Sequence, residues 1–383
     1  MIGNQLEHRL NTQETSGYWI WVNEEPEDPD WDAFLAKTPG GHYTQSSLWA
    51  KMKALSGWKA TRLVVAREDS IIAGAQLLTR PLPLFGKIGY VPKGPLVASD
   101  DIHLSQLVIN ALHRLAKAHG VEYLAVQPPS KGQITHLLPG LGFHANPKMG
   151  TVTSTILIDL TCDPNTLLAQ MRESTRTNIR RAQSRGITIR EGTESDLGAF
   201  YHLVAVASQR KGYSTYSKKF LAEFWQILGS HGHTKLFFAE YAGEAVSTLL
   251  AIHFGDTLFT HVSAWDGRHR ELKPNELLEW ETMMWAKAHG YRYYDFEGID
   301  PQVAKVILQG QPLADSHFPV ADRMVTRYKL GFGGRVTLLP EVYEYIYSPL
   351  LRSVYFQLLP KIEHWPVIAK TWKAVTRAVQ PNV

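Results

Sequence analysis

Asp295 and Glu297 stand two residues apart in Tyr294-Asp295-Phe296-Glu297, a run that alternates ring and carboxylate. On an extended strand that spacing puts both carboxylates on one face and both rings on the other. A carboxylate beside an attacking amine can take its proton or orient it. The competing use is a structural ion pair. A second chemical group lies between Met171 and Arg190, where Arg172, Arg176, Arg180, Arg181, Arg185 and Arg190 face a single acid, Glu173. Arg172, Arg176 and Arg180 step by four along one helix face, with Arg181 beside them. Such a stripe suits a run of nucleic-acid phosphates, bound without reading sequence. Its competing use is a solvated face whose aliphatic stems cover the core. His231-Gly232-His233 has a metal-like spacing, yet no further ligand is near it in sequence. The single cysteine, Cys162, removes any cysteine-rich zinc site, so no metal is expected.

The elements that must position these groups occur twice. Ala116-Lys117-Ala118-His119-Gly120-x-x-Tyr123 returns as Ala286-Lys287-Ala288-His289-Gly290-x-x-Tyr293. Each block ends an amphipathic helix on a glycine suited to a left-handed C-cap, then enters a strand. Ahead of each helix the strands also match. Thr61–Glu68 leads through Asp69-Ser70 into Ile71–Arg80, and Lys235–Tyr241 leads through Ala242-Gly243-Glu244 into Ala245–Phe254, with Ala66 and Ala239 at a slightly different offset. A repeat fixes architecture before single motifs are weighed, and the active site is expected where the copies meet.

A chain of 383 residues with 44% apolar and 20% charged residues is long and apolar enough for two globular domains. The net charge of +4 is too small to indicate nucleic acid by itself, so the local arginine cluster carries that argument. No apolar run approaches the ~18 residues of a membrane span, and the N-terminus lacks a secretory pattern. A cytoplasmic location is therefore expected. The patterns predict helices at Trp31–Lys37, Gln45–Leu55 and from Asp101 to Leu115, then at Leu167–Ser184, Leu197–Lys211, Lys218–Leu228 and from Glu276, capped by Asn275. Strands are predicted within Thr61–Tyr90, at Val121–Gln127, Thr155–Leu160 and Tyr291–Glu297, and near Arg323–Leu330. The expected division is a first domain at 17–149, completed by 323–383, and a second at 150–322. Residues 1–16 are expected to be flexible, and 340–383 a helical extension that docks on the first domain or rests on an anionic membrane.

Helix, helix, antiparallel strands, helix, strand is an order that resembles the acyltransferase fold called GNAT. The expected class is thus α/β (α+β), two tandem GNAT-like domains with mixed, mostly antiparallel sheets flanked by helices. A CoA-dependent GNAT cradles pyrophosphate on bare backbone N–H groups in a glycine-rich turn. Here the corresponding stretches are Val91-Pro92-Lys93-Gly94-Pro95-Leu96 and Asp266-Gly267-Arg268-His269-Arg270-Glu271-Leu272-Lys273-Pro274-Asn275. Neither has a Gly-x-Gly nest, and each spends a donor on proline. The expected acyl donor is therefore not CoA, and no cofactor is expected.

Gln45-Ser46-x-x-Trp49-x-x-x-Lys53, Pro92-Lys93-Gly94-Pro95, Thr175-Arg176-x-Asn178-Ile179-Arg180-x-Ala182, Tyr294-Asp295-Phe296-Glu297-Gly298 and Tyr328-Lys329-x-Gly331-Phe332-Gly333-Gly334 follow one another in this order. Together they resemble the FemA/FemB/FemX peptidoglycan-bridge aminoacyltransferases, from about Gly40 to Gly334. Arg190 to Lys235 leaves no room for the helical hairpin of FemA and FemB, so the chain looks like the insert-free FemX type. The resemblance implies transfer of an amino acid from aminoacyl-tRNA to an amine of a peptidoglycan-precursor stem peptide, lipid-linked or nucleotide-linked. It makes Lys329 the leading catalytic candidate, a fixed cation for the charge that builds on the ester carbonyl oxygen, with Asp295 or Glu297 assisting the amine. It matches Lys53 to a lysine on the acceptor phosphates, with Trp49 one turn away on the same helix face. Family members carry an arginine and then a tyrosine after the helix at Leu197–Lys211. The best alignment puts Tyr216 there with Arg210 nearby, an altered pattern. Tyr293 joins these as a substrate-binding candidate, and so does Asp101, whose ordinary use is a helix cap. Arg172, Arg176, Arg180 and Arg181 are the tRNA candidates. Two alternatives stay open: an N-acyltransferase using CoA or a carrier protein, and a non-catalytic tRNA- or membrane-binding scaffold.

Overall fold

The computed structural model describes residues 13–15, 17–82, 86–147, 149, 151–212, 216–311, 318–353 and 355. The chain divides into two compact units, Met1–Thr151 with Pro340–Val383, and Val152–Leu339. In the first, β1 (Gln13–Thr15) and β2 (Tyr18–Asn23) precede helices α1 (Pro29–Lys37) and α2 (Ser47–Ala54). An antiparallel meander follows through β3 (Lys59–Arg67), β4 (Ser70–Leu82) and β5 (Gly86–Val91), with β6 (Leu96–Val97) on β4. Helix α3 (Ile102–Ala118) then crosses to β7 (Val121–Val126), parallel to β5, before α4 (Ile134–Leu137) and β8 (His144–Asn146). The Asp101 carboxylate starts α3 by accepting the N–H groups of His103 and Leu104. Leu104, Val108, Ala111, Leu112 and Leu115 form its buried stripe, packed on Leu63, Val65, Leu77 and Leu124 of the sheet.

The second unit repeats this plan. It contains β9 (Ser154–Asp159), α5 (Pro164–Gln170), α6 (Glu173–Ser184), β10 (Thr188–Gly192), α7 (Leu197–Lys211) and α8 (Lys218–Phe224), which continues as a π-turn over Trp225–Gly229. The meander is β11 (Thr234–Tyr241), β12 (Glu244–Phe254) and β13 (Thr257–Trp265); α9 (Pro274–Ala288) crosses to β14 (Tyr293–Asp295). Helices α10 (Pro301–Leu308) and α11 (Val320–Leu330) precede β15 (Arg335–Leu338). The sheet order is β10-β11-β12-β13-β14-β9-β15, antiparallel except for β13 beside β14. The chain then re-enters the first unit as β16 (Val342–Ile346), antiparallel to both β7 and β8, followed by α12 (Pro349–Ser353). The first sheet therefore runs β1-β2-β3-β4-β5-β7-β16-β8.

The repeated block occupies the same place in both units, at the end of the helix that joins the two parallel strands. Gly120 and Gly290 follow those helices at φ +70° and +81°. The strand match also holds in detail. Each meander slips register at its alanine, between Val65 and Ala66 and between Ala239 and Glu240, and each turns on a left-handed residue, Glu68 or Ala242. Both units are the mixed, helix-flanked sheets expected of a tandem GNAT-like chain.

Several expectations need correction. Arg323–Leu330 is helix in the second unit, not a strand in the first. Pro319 sets the N-cap of this helix, and within 323–330 only Thr326 is buried. The second unit accordingly extends to Leu339. The tail expected to be helical from 340 opens as strand β16, and residues 354 and 356–383 lie outside the described residues. In the segment expected to be flexible, Gln13–Thr15 pairs with β2, and the rest of 1–16 lies outside the described residues. Leu167–Ser184 is two helices. The chain extends at Met171 and Arg172, where the Arg172 N–H donates to the Gly331 carbonyl. Helix α9 starts at Pro274, and Asn275 accepts the Ser247 hydroxyl instead of capping it.

Candidate active site

In the second unit, β14 ends at Asp295 and the chain leaves the sheet. The Phe296 N–H still donates to Ile156 and the Ile299 N–H to Ser154, both on β9, so Glu297 and Gly298 form an excursion between two pairings. Glu297 holds φ +46°, a left-handed conformation that costs a residue with a side chain. Two groups hold it there. The Asp295 carboxylate accepts the Glu297 N–H at 2.8 Å and the Thr155 hydroxyl. Lys329 Nζ donates to the carbonyls of Phe296, Glu297 and Gly298 at 2.8, 2.8 and 2.7 Å. Those bonds account for the three donors of an ammonium. Burial pulls the Lys329 pKa down, and the charges of Glu279, Glu297 and Asp295 push it back.

The strand-face expectation for Asp295 and Glu297 is therefore corrected. Tyr294 and Phe296 are buried as the alternation predicts. The two carboxylates, however, do not stand side by side on a strand: Asp295 folds back to fix the turn, and Glu297 lies beyond the strand end. His261, on β13, places Nδ1 3.3 Å from Glu297 Oε2. Its ring stacks on Phe224 at 5.3 Å and 11°. Tyr216 stacks on Phe220 at 4.9 Å, and burial together with the Glu297 charge pushes its phenol pKa up. The structure thus brings Lys329, Asp295, Glu297 and Tyr216 together, with Tyr293 on the same strand and under the Arg292 guanidinium at 5.1 Å.

The glycines after Lys329 have a local cause. A Cβ on Gly331 would meet Thr175 Oγ1 at 2.5 Å, and Gly333 and Gly334 sit at φ +83° and +81°. These residues end α11 against the start of α6, which explains why the Thr175 and Lys329 motifs occur together. Beneath them lies a buried acid that sequence reasoning missed. Glu279, fully enclosed on α9, accepts the Tyr294 hydroxyl, and burial raises its pKa to about 7. Glu276, one turn earlier, accepts the Asn178 amide at 2.9 Å and is also raised by burial. An acid within the apolar stripe Leu278, Thr282, Met283, Ala286 was the available signal. His261 gave none, because its partner Glu297 lies 36 residues away in sequence, in the turn after β14.

The arginine stripe divides. The Arg172 guanidinium donates to the Arg327 carbonyl, and Arg176 donates to the Met171 carbonyl, closing α5. Arg190 pairs with Asp196 at 2.8 Å and Glu240 at 2.6 Å. These three hold the fold together. Arg180 and Arg181 are exposed on α6, and Arg185 is exposed at its C-cap. Arg210 lies over the Trp265 ring at 4.6 Å and donates to its carbonyl, so it braces the turn after β13. That turn is held by its own side chains: Asp266 accepts the Arg268 N–H, and His269 and Lys273 are left-handed. His231-Gly232-His233 is the turn before β11, with His233 beside His253.

In the first unit, Trp49 and Lys53 share α2 and are both buried, which removes the solvated-lysine reading. Burial and the charge of Arg80 pull the Lys53 pKa down to about 8. Arg80 stands over the Trp58 ring at 5.3 Å, and Trp49 meets Tyr43 edge-on at 5.1 Å. Gln45 ties Pro92 to β4 through 2.7 Å bonds to the Pro92 carbonyl and the Gln76 N–H, which joins the first two motifs. Asp101 is the α3 cap described above, its ordinary use.

Residues 26–138 match the FemAB family, and residues 169–303 match the acetyltransferase (GNAT) domain. The chain is 27% identical over 218 residues to a lipid II:glycine glycyltransferase of Staphylococcus aureus (strain MRSA252), a match covering 54% of this chain and 52% of that protein. The counterpart in strain USA300 is 26% identical over the same length. The chain thus spans about half the length of the curated relatives it matches. A crystal structure of FemX shares the fold at TM-score 0.76 and 19% identity, covering 91% of this chain and all of that one. The structure of L-PGS from Bacillus licheniformis shares it at TM-score 0.53 and 12% identity, covering 87% and 97%.

Proposed function

We propose that this relative of the FemA/FemB/FemX aminoacyltransferases moves an aminoacyl group from aminoacyl-tRNA to an amine of a peptidoglycan-precursor stem peptide. The observation that carries the reading is the turn after β14, where a lysine ammonium is fixed on three carbonyls beside Glu297. Aminolysis of a tRNA ester starts from an activated carbonyl. It therefore needs a held amine, a proton acceptor and a nearby positive field for the developing oxyanion. Lys329 supplies the field, and the acids beside it supply the acceptor. The names of the Staphylococcus aureus relatives favour a lipid-linked acceptor over a nucleotide-linked one.

Lys53 fits the acceptor's phosphates. A buried lysine whose charge is opposed by Arg80 gains most from an anion placed between the two. In the first unit Trp49 is proposed to support Lys53; in the second unit Arg210, Tyr216 and Tyr293 are proposed to line the acceptor path, and Arg180 and Arg181 to meet tRNA phosphates. Arg172 and Arg176 would support that face through the backbone. No helix among the described residues is long and apolar enough to cross a membrane. We place the reaction at the cytoplasmic face, with peripheral contact to the lipid that carries the acceptor.

The test is transfer of label from total aminoacyl-tRNA, each amino acid labelled in turn, to lipid-linked and nucleotide-linked stem peptides. Ribonuclease-sensitive label in one precursor is the expected result. A folded Lys329→Met protein that keeps full transfer would remove Lys329 from the mechanism. The GNAT-domain match over 169–303 favours one second reading, an N-acyltransferase using CoA or a carrier protein. Saturable CoA binding with acyl transfer and no use of tRNA is the outcome that would select it.

A further inference from the structure

The two acids of the β14 turn differ in what they are doing. The Asp295 carboxylate is occupied by the Thr155 hydroxyl and the Glu297 N–H, so it shapes the turn. The Glu297 carboxylate reaches away from that turn toward β13, where His261 Nδ1 stands 3.3 Å from it. The two differ in exposure as well. The His261 side chain is 4% exposed and that of Glu297 is 22% exposed. His261 is therefore the inner member, with its ring orientation set by the stack on Phe224. With a proton on Nδ1, His261 donates to Glu297 and fixes one carboxylate oxygen. Lys329 contributes at the backbone. Its three bonds to Phe296, Glu297 and Gly298 hold the left-handed conformation that aims the Glu297 side chain.

We propose that Glu297 is the group that takes the proton from the attacking amine, that His261 is its positioning residue, and that Lys329 holds the turn that aims it. The inference rests on the aminoacyl-transfer reading and assigns the acid that reading leaves open. In the step, the amine lone pair forms the C–N bond to the ester carbonyl carbon and the ester C–O bond breaks. The proton lost by nitrogen passes to the Glu297 carboxylate, and from it to the departing ribose oxygen. A carboxylate, an ester and an amine enter; an amide, an alcohol and the same carboxylate leave. Among the described residues, the charged and titratable groups around Glu297 include His261 from β13, Tyr216 ahead of α8, Asp295 from β14 and Lys329 from α11.

The test measures single-turnover transfer from total aminoacyl-tRNA to lipid II across pH, with the wild-type protein, E297Q, E297D, H261N and H261A. For E297Q a fall in kcat of about 10²- to 10⁴-fold is expected, with KM little changed and the acid limb of the pH profile gone. E297D keeps a carboxylate and should keep that limb at a reduced rate. H261N can donate from its amide as Nδ1 does, so it should retain more activity than H261A. A structural role alone would not separate these pairs in their pH profiles. Wild-type transfer with E297Q at wild-type kcat overturns the inference and leaves the function standing. A folded wild-type protein that transfers nothing from tRNA removes the function and the inference together.

Discussion

Replacing Glu279 by glutamine removes a charge from the second unit while keeping the side chain's shape. Glu279 is fully buried, and its pKa rises from 4.5 to about 7 because burial outweighs the Tyr294 hydrogen bond and the Lys329 charge. A carboxyl raised on folding binds its proton more tightly in the folded state. Its contribution to stability is full below the unfolded value of 4.5 and is lost as pH climbs through about 7. A shift of that size corresponds to about 3 kcal/mol. The assay is urea unfolding of wild type and Glu279→Gln at about pH 5 and about pH 8, followed by tryptophan fluorescence. Wild type should lose about 2 to 3 kcal/mol between those conditions relative to the variant. The variant should not simply be the more stable protein everywhere, because Lys329 loses its leading counter-charge. The difference in pH slope is the quantity to read. Parallel slopes for the two proteins would refute a strained, ionisable Glu279.

Three further outcomes can be checked. Lys53 has its pKa lowered from 10.5 to about 8, so its buried charge costs stability below about pH 8 and that cost is relieved as pH rises toward 10.5. Uridine diphosphate binding, followed by calorimetry, should weaken above about pH 8 in wild type and be weak and flat with pH in Lys53→Met. Arg180→Ala with Arg181→Ala should reduce the slope of log affinity for tRNA against log salt by about 0.7 to 0.9 for each phosphate no longer neutralised, measured by filter binding. Arg172→Ala should act on stability instead, through the Arg327 carbonyl. Glu344 accepts the Tyr123 hydroxyl, the Asn146 amide and the Tyr355 hydroxyl on one oxygen. Glu344→Ala should therefore destabilise the first unit by at least about 3 kcal/mol in urea unfolding; a loss below about 1 kcal/mol would show the cluster to be dispensable.

The repeat was legible because its signals are local: a helical stripe, a glycine at positive φ and a hairpin each lie within a few residues of sequence. The division of the chain was less legible. Where Arg323–Leu330 and Val342–Ile346 belong depends on partners far away, Gly331 against Thr175 in one case and β7 in the other. Site residues followed the same rule. Lys329, Asp295 and Glu297 stood out by motif, and the structure does bring them to one turn. Whether Asp295 or Glu297 faces outward was not readable, because it depends on one residue turning left-handed after the strand ends. The arginine stripe misled for a related reason. Helical spacing gives a common face, but the ends of that face meet carbonyls at the C-terminal ends of α5 and α11, which take Arg176 and Arg172.

The position of β16 has a consequence for synthesis. Val342–Ile346 supplies the strand between β7 and β8, although all of β9 to β15 is translated in between. A ribosome therefore releases every strand of the second sheet before the first sheet can close. Until then β7 and β8 present open edges, and the Tyr123 hydroxyl and Asn146 amide lack their acceptor on Glu344. The half of the protein that is made first must finish last. Its nascent form is the one in need of a chaperone's protection, while the half made second can complete its fold without waiting for the end of the chain.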